Sequence, residues 1–412
     1  MDKKFTVAII GMGGRGKAYS REMLKFPDRF SIVSVCDFNQ HKLDDAKTLF
    51  GYTDDMFIKD ENEFFAKKRA DVCVVATQDQ DHVRHAIKAL ELGYDVLMEK
   101  PISDREDECR RLLDAKKKYG GKVFVCHVLR YAPAFVKVKE IIDSKVCGEV
   151  VMIDVIEQVF YFHQAHSFVR GNWRRRDETS PMIIAKCCHD LDILQWYVGS
   201  KCDSISSIGD LRHFKKENQP EGASDRCTDC KYVDTCPYSA VRGYVTEQCW
   251  GADLVTTQRP LTSSAKFEGL KTSPYGRCVY ACDNDVVDNQ IVMMKFENGV
   301  TANLRMTAFT RHGGRIIKVY CTHGEIEFDA HKEFIDIKVF GKKEERIYTK
   351  ELIEGGYGHG GGDAGIIKGL YELLTGTAEG GTTLEASIES HLMGFAAEES
   401  RLAGGKMIKI KH

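Results

Sequence analysis

Three groups of residues in this 412-residue chain have the types and spacing of working chemistry. The first is Gly11-Met12-Gly13-Gly14-Arg15-Gly16, set between an apolar run, Val7–Ile10, and a helix-like stretch through Tyr19, Met23 and Leu24. Gly11 permits a tight turn, Gly13 lets the backbone approach a pyrophosphate, and Gly16 lets helix and strand pack closely. The free N–H groups and positive dipole of the helix start favour phosphate. A second apolar run, Phe30 to Cys36, ends on Asp37, about 20 residues past the last glycine, where an acid can bind a ribose diol and repel a 2′-phosphate. Phe38-Asn39-Gln40 offers no arginine for such a phosphate, so the pattern favours NAD over NADP.

The second group is basic. Lys100, in Met98-Glu99-Lys100-Pro101, directly follows a buried-strand run and so lies at the carboxyl edge where an open α/β sheet places its ligand. His189 follows Lys186 by three residues, a spacing that puts both on one face of a helix. The third group is Cys227-Thr228-Asp229-Cys230, then five residues, then Cys236-Pro237. Thiolates at this spacing can share one ion, and a closed zinc site needs a fourth ligand. Cys278 is the first choice, with Cys282, Cys249 and His213 as alternatives, and an iron–sulfur cluster could use the same ligands.

The elements that must position these groups fall into two rhythms. From residue 1 to about 126, strand runs at Phe5–Ile10, Ser31–Cys36, Val72–Ala76, Val96–Met98 and Val123–His127 alternate with charged helical stretches such as Asp79–Leu92 and Asp104–Lys118. That alternation predicts an α/β Rossmann domain, a doubly wound parallel sheet. From 127 to 412 strand-like segments succeed one another: Glu149–Phe160, Val287–Phe296, Thr301–Phe309, Ile316–Thr322, Glu325–Phe328 and Phe334–Phe340. Asn298-Gly299 and His323-Gly324 read as hairpin turns, and Ile366–Leu374 and Leu384–Leu402 as helices. A second, α+β domain with a large mostly antiparallel sheet follows, one face of it free to join another subunit as a homodimer or homotetramer. The polar, cysteine-rich stretch at about 210–285 breaks this rhythm and reads as an insertion.

Charge is balanced, 59 Lys+Arg against 61 Asp+Glu, which argues against a general nucleic-acid or membrane-surface binder. The first strand begins at Phe5 and no apolar run is long enough to span a bilayer, so a cytoplasmic protein is expected. Most of the 15 cysteines are then expected to be thiols or ligands rather than disulfides.

Four further stretches, Val74-Val75-Ala76-Thr77 with His82, Met98-Glu99-Lys100-Pro101, Cys188-His189-Asp190-Leu191-Asp192 and His359-Gly360-Gly361-Gly362-Asp363, together with the glycine turn and domain order, resemble the glucose–fructose oxidoreductase/inositol dehydrogenase (Gfo/Idh/MocA) family. The resemblance spans nearly the whole chain outside the insertion. It implies cofactor contacts at Gly11, Gly13, Gly14, Arg15, Gly16, Asp37, Thr77, His82, Glu99 and Lys100, and catalysis by Lys100 and His189. It places substrate contacts at His166, Trp173, Arg174, Lys186, Asp192 and His359, with Asp363 capping a helix. One departure stands out: the family's aspartate four residues before the histidine is Ala185 here, and its glycine two before is Cys187. The expected activity is NAD-dependent hydride transfer from a secondary hydroxyl of a sugar, cyclitol or glycoside. The alternatives are an NAD-recycling glycosidase working by transient oxidation and elimination, and a non-catalytic NAD or sugar sensor. At Cys227, Cys230, Cys236 and Cys278 a structural zinc, remote from the nicotinamide, is expected to staple a loop with little apolar content.

Overall fold

The structure, a computed structural model, describes residues 3–353, 358–377 and 381–412, the side chain of His359 excepted. Six strands, β1 (Phe5–Ile10), β2 (Phe30–Cys36), β3 (Phe57–Ile58), β4 (Val72–Val75), β5 (Asp95–Met98) and β6 (Val123–Val125), form an all-parallel sheet in the order β3-β2-β1-β4-β5-β6. The order reverses at β1, which puts a crevice at the carboxyl ends of β1 and β4. β4 is buried at every residue, as a strand covered on both faces must be. β3 has only two residues and carries no periodic signal for a sequence reading to find.

The other nine strands are β7 (Val150–Gln158), β8 (Cys202–Asp210), β9 (Asn289–Phe296), β10 (Thr301–Thr307), β11 (Gly314–Cys321), β12 (Gly324–Asp329), β13 (Phe334–Val339), β14 (Glu345–Tyr348) and β15 (Ile408–Lys409). They pair in the order β14-β13-β12-β11-β7-β10-β9-β8-β15, antiparallel except for β7 with β10. Burial alternates along β9 and β10, the mark of a sheet covered on one face. β8 escapes the sequence reading because serines occupy its inward positions: Ser204 and Ser207 are buried, and Ser207 Oγ accepts a hydrogen bond from Gln290 at 3.0 Å. The β11–β12 turn consists of Thr322-His323, with Gly324 already paired to Cys321, one residue earlier than the expected hairpin signal.

The last two long helices return to the parallel sheet. Ile366, Ile367 and Leu370 of Gly362–Thr375 join the core on one side of it, and Leu384, Ile388 and Leu392 of Leu384–Leu402 join the core on the other. Met393, Ala396 and Ala397 of the same final helix pack into the core of the large sheet. His391 Nε2 accepts the N–H of Ile102 at 2.8 Å, tying that helix to the turn after β5.

The cysteine-rich excursion leaves at the end of β8 and returns at the start of its neighbour β9, where Asp210 pairs with Asn289. It is less polar inside than its composition suggests. Phe214, Tyr238, Val279 and Tyr280 form one small core with Ala165 and Val169, and Tyr244, Val255 and Leu270 form another with Phe162. The expectation of a loop without a core is therefore corrected: the excursion borrows apolar residues from the 161–170 segment.

Candidate functional site

The glycine turn sits at the crevice. Gly11 has φ +96°, and a Cβ there would stand 2.3 Å from the carbonyl oxygen of Ala76; one at Gly16 would stand 2.0 Å from the carbonyl oxygen of Gly11. Only glycine allows β1, β4 and the helix Gly14–Met23 to approach so closely. At Gly13 and Gly14, by contrast, an added Cβ would meet nothing within 4 Å. Their backbone faces open space at a helix N-terminus, which suits a pyrophosphate. Gly11, Gly13, Asp37 and Thr77 line a cleft of about 670 Å³, with Asn172, Arg174, Glu178 and Thr179 of the other sheet's region opposite.

Asp37 is buried and oriented by its neighbours: Met12 N–H donates to Oδ2 at 2.8 Å and Asn39 N–H to Oδ1 at 2.9 Å. Lys42 Nζ stands 3.3 Å from Oδ2, and both Lys42 and Lys59 line the cleft. Neither lysine lies within Phe38-Asn39-Gln40, the stretch after Asp37 where a phosphate-binding cation is expected. His85 was also missed. It lines the cleft between Thr77 Oγ1 at 3.1 Å and Glu61 at 2.8 Å, and burial holds its pKa below the usual histidine range.

Several residues expected at the cofactor are spent on protein partners. Arg15 bonds Glu99 at 2.6 Å, Asp363 at 2.8 Å and the hydroxyl of Tyr19 at 2.7 Å. Burial alone would raise the Glu99 carboxyl, but Arg15 and then Lys100 outweigh it and hold it below the usual range. Asp363 thus pairs with Arg15 and provides no side-chain cap to its helix, correcting the capping role. His82 does not line the cleft. It is buried, with Nδ1 2.6 Å from the carbonyl oxygen of Pro101 and Nε2 3.2 Å from that of Thr77, so it clasps two loops together.

Lys100 projects from the turn after β5 and donates from Nζ to the carbonyl oxygen of Ala185 at 2.9 Å. It thereby meets the segment that carries His189. That segment is broken: a short helix Met182–Ala185 ends before the helix Cys188–Val198 begins, so Lys186 and His189 do not share one continuous helix face as expected. Lys186 instead bonds Glu157 at 3.0 Å; Arg315 bonds Glu157 at 2.7 Å and Asp190 at 2.8 Å. Neither Glu157 nor Arg315 stood out in the sequence, because both lie on strands far along the chain. Within this group Arg315 and Lys186 outweigh burial and keep the Glu157 carboxyl low, whereas burial pushes Asp190 up to about 6.

Asp192 is fully buried in a bidentate bond from Arg130, 2.7 Å on each oxygen, so it holds the helix rather than facing a ligand. His166 is likewise enclosed, 2.7 Å from the Tyr244 hydroxyl and stacked on Tyr275 at 4.5 Å, and burial lowers it to about 4. Trp173 Nε1 donates to Asp79 at 3.2 Å, clipping the two regions together, and Arg174 sits at the cleft bonded to Asp283 at 2.9 Å. The side chain of His359 lies outside the described residues.

The expected zinc centre is not formed. Among the described residues no three His, Cys, Asp or Glu side chains are grouped so as to hold a metal ion. The four cysteines nevertheless line one cavity. Among the described residues no helix is long and apolar enough to cross a membrane.

Comparison with known proteins agrees with this geometry. Residues 5–127 match the model of an oxidoreductase family with an NAD-binding Rossmann fold, and residues 139–407 match that family's C-terminal alpha/beta domain. The chain is 24% identical to the Bacillus subtilis protein YteT over 416 residues, covering 90% of this chain and 92% of that protein. It is 25% identical to an inositol 2-dehydrogenase/D-chiro-inositol 3-dehydrogenase of Lactiplantibacillus plantarum over 200 residues, 48% of this chain and 54% of that one. Among solved structures it is similar to a levoglucosan dehydrogenase in complex with NADH and levoglucosan (TM-score 0.74, 16% identity, 99% of this chain and 100% of that chain). It is also similar to the WlbA dehydrogenase of Bordetella pertussis in complex with NADH and UDP-GlcNAcA (TM-score 0.72, 18% identity, 100% and 99%). At these identities the structural likenesses establish the fold.

Proposed function

Because the chain belongs to the Gfo/Idh/MocA oxidoreductase family, with its NAD-binding Rossmann fold and C-terminal alpha/beta domain, we propose that it is an NAD-dependent dehydrogenase acting on a secondary hydroxyl of a sugar, cyclitol or glycoside. The observation that carries this reading is the reach of Lys100 Nζ to the Ala185 carbonyl, which brings the lysine of Glu-Lys-Pro to the segment leading into His189. The dinucleotide would lie along Gly13 and Gly14, where the backbone faces open cleft, with its ribose at Asp37. When bound, the nicotinamide supplies the hydride acceptor. Lys100 holds the reacting hydroxyl and, with His189, takes its proton as the carbonyl forms. Lys186, fixed by Glu157, provides a second cation where the family pattern has an acid at position 185.

A glycosidase reading shares this site and is favoured by that same exchange of an acid for Ala185 beside Lys186. Both are tested by incubating the protein and NAD with sugars, cyclitols and aryl glycosides. NADH accumulation supports the dehydrogenase; aglycone release without net NADH supports the glycosidase. Neither signal across the panel would refute both and leave a sensor. The exposed face of the large sheet presents Ile208, directly opposite Ile291, with Met293 beside them, and we propose that it joins a second copy of the chain. Sedimentation would then show an oligomer that Met293→Lys dissociates; a monomeric wild type refutes this.

A further inference from the structure

A cavity of about 200 Å³ lies inside the excursion, lined by Cys227, Cys230, Cys236, Cys278 and Arg170. Its walls are set by backbone bonds. Arg226 forms an isolated antiparallel bridge with Arg277, and Cys278 N–H donates to the carbonyl of Asp225 at 2.8 Å, so Cys227 and Cys278 each lie next to a residue of that bridge. Cys236 N–H donates to the carbonyl of Tyr232 at 2.9 Å, and Val233 N–H to that of Cys230 at 3.1 Å, two successive turns that set Cys230 and Cys236 on the same cavity.

Arg170 is the unexplained group. It is 1% exposed. Its Nε donates to the carbonyl of Arg277 at 2.7 Å and Nη2 to that of Tyr238 at 2.7 Å; Nη2 also lies 3.6 Å from Cys227 Sγ, while Nη1 has no partner. No carboxylate among the described residues pairs with it. A buried guanidinium without an anion is costly. The cavity it lines therefore calls for negative charge, and thiols are what surround it.

We infer that the four cysteines bind an iron–sulfur cluster whose negative charge Arg170 balances. The four thiols line one cavity, with space between them that a polynuclear cluster's own sulfides would fill. The cavity is far larger than the ~10–15 Å³ that one water requires. Arg170 would donate to the ligating sulfurs, an interaction that tunes such centres. Because Arg170 ends the Gln164–Arg170 segment, three residues before Trp173, the cluster would anchor the wall that clips onto Asp79 beside the cleft. This inference does not depend on the hydride chemistry proposed above.

The test is metal analysis of the full-length protein, purified without oxygen or reconstituted with ferrous iron and sulfide. About four iron and four acid-labile sulfide per chain are expected, with the visible charge-transfer absorption of a thiolate cluster. One zinc without sulfide overturns the inference, as does metal-free protein whose four thiols all react with iodoacetamide under native conditions. Cys230→Ser should lose most of the sulfide. Arg170→Met should shift the cluster's midpoint potential to more negative values, and Arg170→Lys should restore part of it; an unchanged potential in Arg170→Met removes Arg170 from the centre. Should these variants fail to fold, the iron and sulfide content of the wild type still decides.

Discussion

Asp190 offers the sharpest test of the charged group behind His189. Its carboxyl is buried, bonded to Arg315 at 2.8 Å, and raised from an ordinary value near 3.8 to about 6. A carboxyl whose folded pKa lies above its unfolded value contributes stability that is fully present below the unfolded pKa and lost as pH rises through the folded one. That change is worth on the order of 3 kcal/mol, lost as pH rises from the unfolded value through the folded one. Asp190→Asn keeps the shape, leaves an oxygen for Arg315, and turns an amide N–H toward Glu157. It mimics the protonated acid. The variant should therefore match wild type near pH 4 and become more stable than wild type, by up to about 3 kcal/mol, near pH 8. Urea unfolding at the two pH values, followed by tryptophan fluorescence, measures this difference. A variant that is less stable than wild type at pH 8, and by more than at pH 4, would show instead that the Arg315 pair outweighs the burial of Asp190.

Asp37→Ala removes the ribose acceptor and frees Lys42. NAD binding should weaken by roughly 10–100-fold, the worth of one or two hydrogen bonds to a charged group, while NADP binding improves; calorimetric titration showing equal or tighter NAD binding would remove Asp37 from the site. Lys100→Met should bind NAD normally and lose on the order of 10²–10⁴-fold in turnover; single-turnover rates within a few-fold of wild type would refute its role. Arg15→Met leaves Glu99 buried without its main cation and should cost about 3–5 kcal/mol at pH 7. Because the Glu99 pKa is depressed in the fold, that cost should shrink as pH falls through the depressed folded value, below which the acid is protonated in both states. An equal cost at pH 7 and pH 3 by denaturant unfolding would mean that Arg15 acts through packing alone.

The nucleotide-binding half was legible because its signals are local. A strand, three spaced glycines and a terminal acid lie within residues 5–37, and the reasons each residue is needed are steric contacts among near neighbours in the chain, as at Gly11 and Gly16. The strong 2-residue alternation of β9 and β10 was legible for the same reason, whereas β8 was not, since its buried serines find partners, Gln290 and Ser400, only once distant strands and the last helix have assembled. The site beyond the glycine turn was decided by tertiary structure. Sequence could nominate His82, Asp192 and His166, but not that carbonyls, Arg130 and Tyr244 would occupy them. Nor could it join Lys186 to Glu157 and Arg315, which requires β7 and β11 to lie side by side. The cysteine spacing predicts a metal ligand set that the described residues do not form, whereas the cavity these cysteines share and the buried Arg170 beside it arise only where segments around residues 170, 230 and 278 meet. Local geometry can be read from order along the chain because a residue's neighbours in sequence are then its neighbours in space; charge pairing and cavity size depend on residues whose proximity exists only after the fold has closed.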